Sequence, residues 1–265
     1  MVSKFFTQYH INMRIYIYLL LFISSNLLAQ RSNTPSVSSQ ATTMIGINAA
    51  FGVHLPASDM ANRFGSDLHV GGGIEGISLS KGWVIGGDAF YFYGKTVKED
   101  VLQPLRTVDG AILGDVGTYA NVDLRERGFY TGLNLGKLFK LTDNGNRIGG
   151  IRLTLSAGFL QHKIRIQDNS NSAPHLAPPY QAGYDRLTNG FALSQFVGYQ
   201  IISRDKTINF FVGLDFTEGF TRNRRGFNFD TRQRDDAKRL DILYGARVGW
   251  FVPLFTNQKA DSIEY

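Results

Sequence analysis

The chain has 265 residues, with no cysteine, 29 glycines, 7 prolines, 13% aromatic residues and a formal charge of +6. The lack of cysteine excludes disulfide scaffolds, cysteine-ligated metals, thiol catalysis and a lipidated N-terminal cysteine. A mean hydropathy of −0.13 is too polar for a bundle of membrane helices. The glycine and aromatic content leans towards an all-β chain, and a membrane barrel stays open because lipid-facing and lumen-facing residues alternate there.

Residues 1–30 read as a cleaved secretory signal. Lys4 and Arg14 precede the apolar run Ile15 to Ile23, and the small residue Ala29 stands before Gln30. That run is less than half of the roughly 20 residues a spanning helix needs. Met1 and Met13 both qualify as the start. Removal of Lys4 and Arg14 takes the 28 bases to 26 against 22 acids, a mild excess that argues for no nucleic-acid partner. Residues 31–42 are small and polar and read as a disordered lead-in. A barrel is expected over 43–255, followed by a polar periplasmic tail at 256–265.

From Met44 the chain repeats one pattern, alternation of apolar and polar or small residues over ten to sixteen positions followed by a break. Ile45, Ile47, Ala49, Phe51, Val53 and Leu55 share one face of the first segment, and Leu240, Ile242, Tyr244, Ala246, Val248, Trp250, Val252 and Leu254 one face of the last. Period two marks strands. Further strands are predicted near 67–79, 83–93, 124–140, 148–164, 190–202 and 208–220.

The breaks alternate in length. Long ones fall at 56–66, 94–123, 165–189 and 221–236, and short ones at 80–82, 143–146 and 203–206. An even number of strands with every long loop at one end is the layout of an eight-stranded antiparallel up-and-down transmembrane β-barrel with short periplasmic turns and long extracellular loops. A secreted β-sandwich also alternates, but has no reason to segregate its loops. Aromatic residues near strand ends, Tyr91 to Tyr93, Phe129 and Tyr130, Phe191, and Trp250, Phe251 and Phe255, suit the girdles of such a barrel.

Eight strands leave a lumen that side chains fill. The lumen face carries charges of both signs, so Arg152 and Arg247 are expected to bond among Glu75, Asp88 and Asp215 as a polar network. His54 and His69 flank the first long loop with Asp59 and Asp67 nearby, an acid–histidine or metal-pair juxtaposition that also arises at the base of any hairpin. No Gly-x-Ser-x-Gly elbow, His-Glu-x-x-His helix or Walker loop occurs. The expectation is therefore no enzyme, no cofactor and no metal. A lipid A-modifying enzyme or protease using His54 or His69 is the alternative, and a narrow pore the second.

The fourth long loop and its flanks, 221–239, hold seven bases and three acids. Arg222, Arg224, Arg225, Arg232 and Arg234 are candidate contacts to lipopolysaccharide phosphates, since guanidinium forks match phosphate oxygens; the competing reading pairs them with Asp123, Glu126 and Asp185. The second loop is unusually apolar, and Ile112, Leu113 and Val116 mark it as a hairpin extension or a partner-contact surface.

The segments Glu126-Arg127-Gly128-Phe129-Tyr130, Gly136-Lys137-Leu138-Phe139, Gly158 to Ile164, Gly183 to Phe191 and Leu240 to Gly245 resemble a family of small outer-membrane β-barrel proteins of Bacteroidota, over about Gly46 to Phe255. The resemblance implies the fold and an outer-membrane location, and carries no catalytic residue. It suggests a structural or accessory subunit of an envelope complex, in barrel assembly or protein secretion, whose partners are lipopolysaccharide and other outer-membrane proteins or lipoproteins.

Overall fold

A computed structural model describes residues 43–144, 147–203 and 209–256. The expected signal at 1–30, the lead-in at 31–42 and the tail beyond Thr256 lie outside the described residues. So do parts of the short turns at 143–146 and 203–206.

Eight long strands form the wall: β1 (Thr43–Ser58), β2 (Asp67–Ser78), β3 (Trp83–Gly94), β6 (Val122–Asp143), β7 (Arg147–Asp168), β8 (Thr188–Ser203), β9 (Asn209–Asn223) and β10 (Lys238–Thr256). Inside the second long loop lie the short strands β4 (Ile112–Leu113) and β5 (Tyr119–Ala120), and the first long loop contains a helix, α1 (Asp59–Arg63). Every wall pair is antiparallel, and β1 pairs with β10 to close the barrel. Among the described residues no helix is long and apolar enough to cross a membrane.

The wall is inside out relative to a soluble protein. Leu133, Ile85 and Phe51 are 77%, 66% and 65% exposed, while Glu75, Asn134, Arg152 and Gln200 are buried in the lumen. Only a hydrocarbon solvent makes that arrangement favourable, because apolar surface then faces lipid and charge is withdrawn from it. The chain is an eight-stranded transmembrane barrel.

Aromatic runs obey the pleat. Tyr91, Tyr93 and Trp250 point outward, whereas Phe92 and Phe251, expected at the girdle, point into the lumen and are almost fully buried. Successive strand residues alternate faces, so a run of three aromatics puts its middle member on the opposite face from the other two. At the short-turn end the Nζ of Lys137 lies 4.5 Å from the centre of the Trp83 ring, a cation held at the edge of the apolar belt.

The lumen is stratified. Next to the short turns Met44, Ile77, Val84, Leu138, Ile148, Ile202 and Phe251 form an apolar plug. Above it come the polar layer around Arg152, the ring of Phe90, Phe196 and Phe211, and the histidines. A second apolar cluster, built from Met60, Phe64, Val101, Leu102, Ile112, Ile164 and Leu176, joins the barrel mouth to the long loops.

Candidate functional site

Two places in the molecule concentrate chemistry. One is the lumen beneath the loops, the other the outer rim at the long-loop end.

In the polar layer Arg152 donates from Nη1 and Nη2 to the two carboxylate oxygens of Glu75 at 2.8 and 2.6 Å, and from Nε to Thr154 at 3.0 Å. Its guanidinium centre is 5.2 Å from the Phe211 ring. Arg247 behaves differently from expectation. It forms no ion pair among the described residues, and instead lies between the rings of Phe90 and Phe196 at 4.7 and 4.6 Å. Asp88 accepts from Asn48 at 3.3 Å, and Asp215 is drawn away to a histidine. Of the five groups expected to form a network, Glu75 and Arg152 make a bidentate pair, while Arg247 stays within electrostatic reach of Asp215 and Asp88 without bonding to either. Two neighbouring arginines on one acid would repel, and aromatic faces offer the second one a place that needs no carboxylate. The cavity bounded by Asp88, Tyr130, Ser156 and Arg247 has room for about one water molecule.

Above that layer, strand register assembles a histidine–carboxylate cluster. His54 on β1 stands opposite Asp67 on β2, and its Nδ1 lies 3.0 Å from Asp67 Oδ1. On the other side Gly245 faces both His54 and Asp215, and because glycine leaves the gap open Asp215 Oδ2 comes within 2.9 Å of His54 Nε2. His69 stacks on His54 with ring centroids 3.8 Å apart. A side chain at Gly52 would meet the His69 ring at 2.5 Å, so glycine is what permits the stack. Asp59 takes no part; it caps the Leu240 amide. A second pair, His162 Nε2 and Asp241 Oδ2 at 2.8 Å, is completed by the Thr221 hydroxyl donating to the same oxygen. Glu126 is buried nearby, its carboxylate reaching over Gly94.

The approach of His54, His69 and Asp67 is legible in the sequence, since all three belong to one hairpin. Asp215 and Asp241 arrive from β9 and β10, more than 70 residues from the histidines they bond. The layer is also under-partnered. Neither nitrogen of His69, neither oxygen of Glu126, and one oxygen each of Asp67 and Asp215 has a hydrogen-bond partner among the described residues, and each such buried group costs about 1–3 kcal/mol if left so.

Above the cluster the four long loops are tied together. Arg63 of α1 and Arg186 of the third loop both donate to Glu99 of the second loop at 2.8 Å, Arg186 reaches Asp230 of the fourth at 2.5 Å, and Arg225 holds Asp185 with both arms of its fork at 2.7 and 2.5 Å. Burial pushes the Glu99 carboxyl up, and the two guanidiniums outweigh it and hold the group below its usual range.

At the rim, Arg225 is therefore committed to the cap, but Arg222, Arg224, Arg232 and Arg234 are exposed. Arg222 and Arg224 share an open cradle with Lys238 and Arg239 above the outward-facing rings of Phe191 and Phe220. Arg239 is paired with Asp235 and Arg224 with Asn189; Glu126, proposed from sequence as a loop-arginine partner, lies inside instead. The apolar second loop also needs correction. Ile112 is only 2% exposed and packs in the core under the loops, Leu113 is exposed, and the side chain of Val116 lies outside the described residues. The apolar surface of that loop faces mainly inward, where its burial gains about 25 cal/mol per Å².

No protein-family model matches the sequence, and no curated protein does. Among solved structures the chain is similar to Ail, the attachment invasion locus protein of Yersinia pestis, in complex with the heparin analogue sucrose octasulfate, at 12% identity, covering 80% of this chain and 100% of that one, with a TM-score of 0.34. It is similar to Neisserial surface protein A at 7% identity over 80% and 99% of the two chains, with a TM-score of 0.35, and to the outer membrane protein OprG of Pseudomonas aeruginosa at 11% over 80% and 95%, with a TM-score of 0.34. Similarity at these values carries no function from those proteins to this chain, and the fold stands on its own strand pairing.

Proposed function

We propose that this chain is a non-catalytic outer-membrane barrel that acts as a structural or accessory subunit of an envelope complex through its lipid-facing wall and its loop rim. Its long loops are extracellular and its termini periplasmic, with residues 1–30 serving as the export signal. The observation that carries this reading is the filled lumen beneath an ion-paired cap. With the interior occupied by the Glu75–Arg152 pair and the loops held by Arg63, Arg186 and Arg225, the surfaces left for recognition are the outer wall and the rim. The cradle of Arg222, Arg224 and Lys238 above Phe191 and Phe220 suits lipopolysaccharide, whose phosphates match the cations and whose acyl chains match the rings. Leu113, Tyr119 and the fully exposed Val108 are the contacts left to a protein partner on the second loop.

The test is chemical cross-linking in native membranes followed by mass spectrometry of the tagged chain. Stoichiometric links from the second loop or the wall to another outer-membrane protein or lipoprotein support the subunit reading, and a lone monomer overturns it. In a parallel measurement, the Arg222→Ala/Lys238→Ala variant is expected to retain several-fold less lipopolysaccharide on purification than the parent chain.

The enzymatic alternative has one observation in its favour, a histidine held between two aspartates. Against it, His54 and His69 are buried beneath the loops, and among the described residues no hydroxyl nucleophile bonds to either. If lipid A mass spectra change on expression and revert in a His54→Ala/His69→Ala variant, the non-catalytic reading is wrong.

A further inference from the structure

The layer beneath the cap holds more buried donor atoms than partners for them. His54, Asp67 and His69 are 6%, 3% and 2% exposed, they come from the paired strands β1 and β2, and their ligand atoms all lie within 4.8 Å of one another. We infer that His54, Asp67 and His69 form a three-ligand binding site for a divalent first-row metal ion of the zinc type, with its fourth position left to water.

Three features carry the assignment. The separation of 3.0 Å between His54 Nδ1 and Asp67 Oδ1 is a few tenths of an ångström below the edge of a tetrahedron with bonds of about 2.0–2.1 Å. The opposite nitrogen of the same ring, Nε2, points at Asp215 Oδ2 at 2.9 Å. A ligating imidazole commonly donates its second N–H to a carboxylate, which fixes the tautomer and leaves the first nitrogen free to bind. His69 supplies the third ligand: both its nitrogens are buried and unpartnered, and to bind the ion its ring must turn off the His54 face on which it stacks. Asp67 Oδ2, also unpartnered, leaves a second carboxylate oxygen at the same edge. Imidazole and carboxylate donors without thiolate select Zn²⁺, Fe²⁺ or Mn²⁺ over copper(I) or an iron–sulfur cluster. The ion would staple β1 to β2 at the barrel mouth and, through Asp215, fix β9.

The test uses the full chain without a polyhistidine tag, folded in detergent, stripped with a chelator and titrated with Zn²⁺ alone. About one Zn²⁺ per chain is expected by calorimetry and elemental analysis. His69→Ala and Asp67→Asn should abolish that binding, and Asp215→Asn should weaken it by about 10- to 100-fold. His162→Ala, which removes the other buried histidine–aspartate pair, should bind like the parent. Retention of no metal, or equal binding by the His54→Ala/His69→Ala chain, overturns the assignment. Heat-dependent gel mobility shows which variants are folded. Where one is not, Co²⁺ added to the parent chain decides the matter: a visible absorption band of low-symmetry nitrogen and oxygen coordination supports the site, and an unchanged aqueous Co²⁺ spectrum refutes it.

Discussion

Arg152 shows how much of this barrel depends on single side chains. Its two-pronged contact with Glu75 is shut away from water, so deleting one partner leaves a bare charge in the lumen. Arg152→Met is expected to lower the unfolding free energy by about 3–5 kcal/mol, read by urea titration in lipid or detergent, and Arg152→Met with Glu75→Leu should recover most of it. Glu99 gives a prediction in pH. Against the upward push of burial, Arg63 and Arg186 hold its folded-state carboxyl below the ordinary glutamate value of 4.5. Its contribution is therefore complete above that value and is lost as pH falls through the depressed folded value. Hydrogen exchange of residues 95–106 should stay slow from neutrality down to about pH 4.5 and quicken only below it. Faster exchange already at pH 6 would show that the triad does not hold the loops.

At the scale of elements, alternation made the strands legible and local sequence left the loops opaque. All eight wall strands were visible as period-two runs, because one face must meet lipid and the other must not, and this writes the pleat into the residue order. The loops obey no such rule. Ile112 looked like a contact surface because apolar residues in a long loop signal exposure or a hidden core equally well, and only the fold of the loops over the mouth decides. The helix α1, five residues long, leaves too short a pattern to be seen. The same alternation gives a sharp test. Leu133 is near the middle of β6 and faces outward, so Leu133→Arg should cost about 2–4 kcal/mol of barrel stability in bilayers. The neighbouring lumen position, Asn134, should tolerate Asn134→Ser far better.

For the whole molecule, the apolar plug, the Arg152 layer and the capped mouth stand in series along one axis. Reconstituted in planar bilayers, the chain is expected to give no steady single-channel current, and a stable open level would mean that the plug is not the resting state. The charge pattern in the sequence gives the members of that lumen and a partner for Arg152 in Glu75, but not the places of Arg247 and Asp215. Asp215 was expected among the arginines and instead serves His54, because partners in a barrel are set by strands that meet across a space the linear order does not encode.

The joint between β1 and β10 has a consequence for how the molecule is made. The strand that leaves the ribosome last must zip to the one that left first, some 200 residues earlier, and until it does both carry a full row of unpaired amide and carbonyl groups. No shorter piece of the chain can bury those rows, so a truncated or stalled copy is an open ribbon with two adhesive borders. The seam thus makes closure all or none: only a chain that carries β10 can become this barrel.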